Sequence, residues 1–150
     1  MAGVRTPRGR PSSDRLHATT VAIDGMAVMI EGASGSGKSD LALRLIDRGA
    51  ILVSDDQTLV VRAGATLLAR APTTIAGRIE VRGIGILAMP HVVDVPVALL
   101  VRLGGAIERM PERSVRNIAG VDVREVAIAP FEASAPIKVE LALRNPEPLE

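Results

Sequence analysis

The sequence predicts an α/β domain, a mixed sheet with a helix after a phosphate-binding loop. Three observations predict it. Gly32-Ala33-Ser34-Gly35-Ser36-Gly37-Lys38-Ser39 fits G-x-x-x-x-G-K-[ST], a loop whose backbone N–H groups cradle a polyphosphate. An apolar run, Ala27-Val28-Met29-Ile30, precedes it as a buried strand, and an amphipathic segment from Asp40 to Arg48 follows as a helix. Short apolar runs between turn residues then recur along the chain. With 47% hydrophobic residues and 1% aromatic ones, they predict a core of Val, Ile, Leu and Ala.

The elements follow in order. Residues 1–14 carry Arg5, Arg8 and Arg10 among prolines and serines, without an apolar segment after them. They read as a disordered basic tail rather than a signal peptide. Ala18 to Ile23 and Ala27 to Ile30 read as strands around an Asp24-Gly25 turn, a strong hairpin signal. In the helix, Leu41, Ala42, Leu45 and Ile46 share one face, while Asp40 and Arg44 form an i,i+4 pair in the favourable order. Gly49 suits its stop. Ile51-Leu52-Val53 reads as a buried strand ending at Ser54-Asp55-Asp56. Thr58 to Arg62 and Thr66 to Arg70 read as a hairpin around Ala63-Gly64. Ile79 to Arg82, Val97 to Arg102 and Val123 to Ile128 are further strands.

Residues 136–144 carry two signals. Ile137, Val139, Leu141 and Leu143 alternate with polar or small residues, a strand pattern. Ser134 and Pro136 suit a helix start and Asn145-Pro146 a helix stop.

At 150 residues the chain has the size of one domain. A formal net charge of +1 argues against a large nucleic-acid surface. Without cysteine there are no disulfides, thiolate metal sites or cysteine nucleophiles, which fits a cytoplasmic protein. No apolar run approaches the ~20 residues that a membrane span needs. Among 18 basic residues only Lys38 and Lys138 are lysine. One of them stands inside the loop, where a compact ammonium fits between phosphates better than a planar guanidinium.

The loop assigns roles by chemistry. Lys38 would reach the β- and γ-phosphates, and the Ser39 hydroxyl would hold Mg²⁺. Asp56 lies 18 residues after Lys38 at the end of the strand that follows the helix, the sheet edge where α/β folds bind ligands. It is the candidate Walker-B-type acid, able to hold Mg²⁺ through water or to take a proton from an attacking hydroxyl. On an extended segment Asp55 and Asp56 point to opposite faces, so that one faces the phosphate and the other serves structure. His17 precedes the first strand of the hairpin. Glu80 and Arg82 face away from the packed side of their strand, and either a solvated face or a second metal or phosphate contact accounts for them. Arg109 follows the Gly104-Gly105 break on a loop and could stabilise transferred phosphoryl charge.

These residues together resemble a known family. The run from His17 through Gly32–Ser39 to Arg48-Gly49, Leu52-Val53 and Asp55-Asp56 is similar to the catalytic domain of HPr kinase/phosphorylase. Ile79-Glu80-Val81-Arg82-Gly83-Ile84-Gly85-Ile86 resembles that family's own signature and is the more specific motif. The resemblance spans about residues 17–144. It implies a single domain of the HPr kinase and phosphoenolpyruvate carboxykinase-like type over residues 15–145, a short form with a tail at 146–150. It also implies an ATP- and Mg²⁺-dependent serine kinase acting on a small phosphocarrier protein of the phosphotransferase system, and a reverse reaction using inorganic phosphate and releasing pyrophosphate. By the same likeness Ser39 and Glu80 place Mg²⁺, Asp56 is base and acid, His17 lies near the transferred phosphoryl, and Arg109 matches an arginine of an Asp-Arg-Leu stretch. A hexamer and a helix over Pro136 to Arg144 are implied as well.

Departures from the pattern carry expectations of their own. Ala133-Ser134-Ala135-Pro136 stands where the family has a Gly-Arg-Asn run tied to phosphorolysis, which predicts a weak reverse reaction. Two other function classes stay open: a phosphate-loop kinase of small molecules, and a nucleotide-binding regulatory module without phosphotransfer. A GTPase switch would bring an Asn-Lys-x-Asp motif that the sequence lacks.

Overall fold

Asp24 and Gly25 take φ angles of 52° and 75°, the left-handed pair that a tight two-residue hairpin requires. The computed structural model describes residues 12–149. Its elements are Ser13–Leu16 (β1), Ala18–Ile23 (β2), Met26–Glu31 (β3), Lys38–Asp47 (α1), Ile51–Ser54 (β4), Thr58–Ala63 (β5), Thr66–Arg70 (β6), Arg78–Val81 (β7), Gly85–Ala88 (β8), Val95–Leu103 (β9), Ser114–Ile118 (β10), Val121–Ile128 (β11) and Ala135–Arg144 (α2). The α/β class and the mixed sheet are as the sequence predicts. The expected tail ends too late: Ser13 and Asp14 already pair with Val61 and Val60, because β1 covers the open edge of β5. Residues 1–11 of that expectation lie outside the described residues.

Strand β9 organises the sheets. It pairs in parallel with β3 and β11, and its first residues pair antiparallel with β6. One sheet therefore runs β10-β11-β9-β3-β2-β4, and a second, β1-β5-β6, curls off the start of β9. The two faces bury separate cores. Val28, Ile30, Leu52, Leu99 and Val101 pack under α1 and α2, while Met29, Val60, Leu67, Leu100 and Val123 fill the other side. Both sides of β3 and β9 are buried, which is why those strands read as continuous apolar runs.

In α1, Leu41, Ala42 and Leu45 are buried against the sheet, and Asp40 and Arg44 lie 3.1 Å apart on the outer side. Gly49 ends the helix at φ 110°, with its N–H donating to Ile46 O at 3.0 Å. Sequence reading missed β1, β8 and β10, which are short edge strands with little buried apolar area. The hairpin β7–β8 stands apart from the large sheets.

The last segment is a helix, as the resemblance implies and the alternation does not. Ala135, Val139 and Leu143 turn inward at helical spacing, and Ile137 and Leu141 are exposed. Arg48, which caps the C-terminus of α1, donates from Nε and Nη2 to Glu140 Oε1 at 2.9 and 2.7 Å and ties the two helices together.

This packing yields a prediction from two leucines two residues apart. Leu143 is 7% exposed and Leu141 55%. Leu143→Ala should cost about 2–4 kcal/mol, and Leu141→Ala should stay within about 0.5 kcal/mol, in urea denaturation. Equal losses would indicate a strand, in which both side chains share a face.

Candidate functional site

Because β2 runs antiparallel between β3 and β4, the start of β2 and the ends of β3 and β4 meet at one sheet edge. His17 and Thr19, the loop Gly32–Ser39, and Asp55-Asp56 come together there. The loop runs from β3 into α1. A Cβ on Gly32 would crowd the Ser36 side chain and lie 3.1 Å from Leu103 Cβ, so glycine keeps this turn uncrowded. Gly35 and Gly37 take φ angles of 80° and 98°. Lys38 is buried, and its ammonium donates to Gly32 O at 3.0 Å and Ala33 O at 3.3 Å, curling back over the loop.

Asp55 is the hub. It is 9% exposed. Its Oδ1 accepts from Ser39 Oγ at 2.6 Å and from Thr19 Oγ1 at 3.1 Å. Its Oδ2 accepts from the Glu80 backbone N–H at 2.9 Å. The acid that holds the loop's serine is Asp55. The segment is not extended. Asp56 sits at φ 65°, its N–H donating to Thr19 Oγ1 at 3.1 Å, and Gln57 N donates to Asp55 O at 2.7 Å. The left-handed residue turns Asp56 outward. There its Oδ1 lies 2.9 Å from His17 Nε2, with both side chains more than half exposed.

The residues fit a nucleotide and its cation. Ser36 Oγ is buried and finds no hydrogen-bond partner among the described residues, so the loop carries an unspent donor. The Ser39 hydroxyl gives its proton to Asp55, which leaves its oxygen lone pairs for a cation. No cluster of three or more His, Asp or Glu forms among the described residues.

The other expected residues are less closely gathered. Glu80 is exposed on β7, and only its backbone N–H is tied to the hub. Arg109 is exposed in the loop between β9 and β10 and forms no ion pair among the described residues. Thr19 was missed. It is fully buried beside the equally buried Thr20, and two hydroxyls inside the apolar run Ala18–Ile23 were the available signal.

A glycine loop, a hydroxyl and a buried acid at one edge of a mixed sheet define a phosphate-loop nucleotide-binding class. Residues 11–95 match the family model of the HPr serine kinase C-terminal domain. HPr kinase/phosphorylase of Burkholderia lata is 33% identical over 144 residues, covering 87% of this chain and 45% of that protein. HPr kinase/phosphorylase of Mycoplasmopsis pulmonis is 42% identical over 73 residues, 49% of this chain and 24% of that protein. The solved structure of the HPr(Ser) kinase/phosphatase from Coxiella burnetii superposes with a TM-score of 0.76 at 30% identity, over 88% of this chain and 95% of that one. The chain belongs to the HPr serine kinase C-terminal domain family. It spans less than half the length of these two curated relatives.

The hub makes a stability prediction. Asp55→Ala strands two hydroxyls and one backbone N–H, and should cost about 2–4 kcal/mol in urea denaturation. Asp56→Asn keeps a residue that tolerates the left-handed turn and should shift stability by no more than about 0.5 kcal/mol. Equal costs would remove Asp55 from its place as hub.

Proposed function

We propose that this chain is an ATP-dependent protein serine kinase whose substrate is a phosphocarrier protein of the HPr type. The supporting observation is the division of labour between adjacent carboxylates. Asp55 is buried and spent on Ser39, and Asp56 is exposed beside His17 on the same edge. A substrate hydroxyl approaching that edge meets an exposed carboxylate, held by His17, next to the loop that would hold the phosphates.

In this reading Gly32–Ser39 binds the nucleotide phosphates through backbone N–H groups. The Lys38 ammonium swings from the Gly32 and Ala33 carbonyls to the β- and γ-phosphates. Ser39 and Glu80 would hold Mg²⁺, and the ion would supply positive charge to the phosphate oxygens. Asp56 takes the proton of the attacking serine, and His17, with Nε2 2.9 Å from Asp56 Oδ1, orients that carboxylate. Arg109 belongs to the loop that leaves β9 at the phosphate edge, since β9 runs parallel to β3. From there it would meet charge on the phosphoryl group. Assembly into a hexamer is part of the proposal, supported by exposed Ile84, Ile86 and Leu87 on the detached hairpin. Among the described residues no helix is long and apolar enough to cross a membrane.

Two measurements test this. With purified HPr-type carrier and Mg-ATP, Asp56→Asn should cut phosphate incorporation by about 10²-fold or more with nucleotide affinity kept within a few-fold. Lys38→Ala should lose both. Near-normal turnover in Asp56→Asn would remove it as the base.

The reverse reaction should be slow. Binding inorganic phosphate beside a phosphoserine needs a cationic or N–H-rich pocket. The loop between β11 and α2 offers no arginine of its own, and Arg44, which reaches it, is spent on the carbonyls of Pro130 and Glu132. A time course with phosphorylated carrier, Mg²⁺ and millimolar phosphate should show pyrophosphate release well below the forward rate. Equal rates would show that the loop difference is without effect.

A further inference from the structure

Phe131 is the only aromatic residue of the chain, and it is 73% exposed. A single exposed apolar side chain is ordinary. The placement of this one is not. It lies on the loop between β11 and α2, against the phosphate loop. A Cβ on Gly37 would fall 3.0 Å from its Cε1 and 3.1 Å from its Cζ. Glycine at that position, with φ 98°, lets one edge of the ring rest on the loop backbone while most of the ring stays open.

The support under the ring is fixed. Arg44 of α1 donates to the carbonyl oxygens of Pro130 and Glu132, and is itself held by Asp40 at 3.1 Å. Lys138 donates to Glu132 Oε2 at 2.8 Å. That bond, with the Ser134 hydroxyl adding to it, holds the Glu132 carboxyl below the usual carboxylate range. The two polar side chains of this loop are thus engaged with the loop itself and with α2.

Strand order gives the direction. From β3, the acids and His17 lie towards β2 and β4, and Phe131 lies towards β9 and β11. A nucleotide threaded through the loop has its reacting phosphate beside the acids. Its nucleoside must leave on the other side, where Phe131 stands.

We infer that Phe131 is the platform on which the nucleobase of the bound nucleoside triphosphate stacks. The inference rests on the nucleotide-site reading above and adds the base subsite. Stacking uses a π-face that every base has. With Glu132 and Ser134 committed elsewhere, the subsite holds a purine without reading its edge, and adenine and guanine nucleotides bind with similar affinity.

Calorimetry on the full chain tests this with Mg-ATP, Mg-GTP and Mg-tripolyphosphate. Tripolyphosphate reports the phosphate loop alone. Phe131→Ala should weaken both nucleotides by about tenfold or more and leave tripolyphosphate unchanged, and Phe131→Trp should restore nucleotide affinity. Equal weakening of tripolyphosphate would mean that the ring only props the loop, and would overturn the inference. So would unchanged nucleotide affinity with a raised KM for the carrier protein, which would give the ring to the protein substrate. A wild-type chain that binds tripolyphosphate but prefers ATP to GTP by a hundredfold would overturn edge-blind stacking while leaving the phosphate loop intact. A wild-type chain that binds none of the three ligands would overturn the phosphate site and the base subsite together.

Discussion

A buried carboxylate must be met by hydrogen-bond donors or it destabilises the fold that buries it. Asp55 meets this requirement with donors from three other parts of the chain: the Thr19 hydroxyl on β2, the Ser39 hydroxyl at the start of α1, and the Glu80 backbone N–H on β7. These donors join the hairpin strand, the phosphate-loop helix and the detached β7–β8 hairpin to the end of β4. The position of the loop relative to the acids is therefore part of the fold's own polar accounting. Ser39 cannot leave Asp55 without stranding one partner of a mostly buried pair.

The same bond divides two identical side chains. Asp55 faces the interior, where its hydrogen bonds are used up by protein. Asp56 is one residue on, in a left-handed conformation that Asp tolerates better than most residues. The turn sends its carboxylate into solvent beside His17. Backbone strain of this kind persists where the surroundings hold it, and here Thr19 Oγ1 does so by accepting the Asp56 N–H while donating to Asp55. One threonine thus supports both carboxylates.

On the opposite side of the loop the constraint is a chain of charges. Arg116 of β10 reaches Glu31, the last residue of β3, at 2.5 Å and Glu125 of β11 at 2.9 Å, and Arg102 of β9 reaches Glu125 at 3.2 Å. All four side chains are partly buried at the edge of the second core. The Glu31 bond holds the Arg116 guanidinium more firmly protonated than usual. The network joins the strand that enters the phosphate loop to both strands that flank the Arg109 loop, so the two loops share one anchor.

Much of this was legible in the chain. The glycine-lysine-serine spacing, the apolar strand before it, the Asp-Gly turn and the amphipathic helix are local signals, because backbone conformation and side-chain period act over a few residues. The phosphate loop, Lys38, Ser39 and the edge carrying Asp56 followed from them, while His17 and the Glu80 motif came with the family resemblance. What tertiary structure decided lay between distant segments. The choice of Asp55 over Asp56 as partner of Ser39 depended on a left-handed turn held by Thr19. Helix over strand for Ala135–Arg144 depended on which leucine the sheet could bury. The neighbourhood of Phe131 and Gly37 depended on β11 lying two strands from β3. Strand pairing and loop packing are set by contacts across the whole chain, and no window of neighbouring residues contains them.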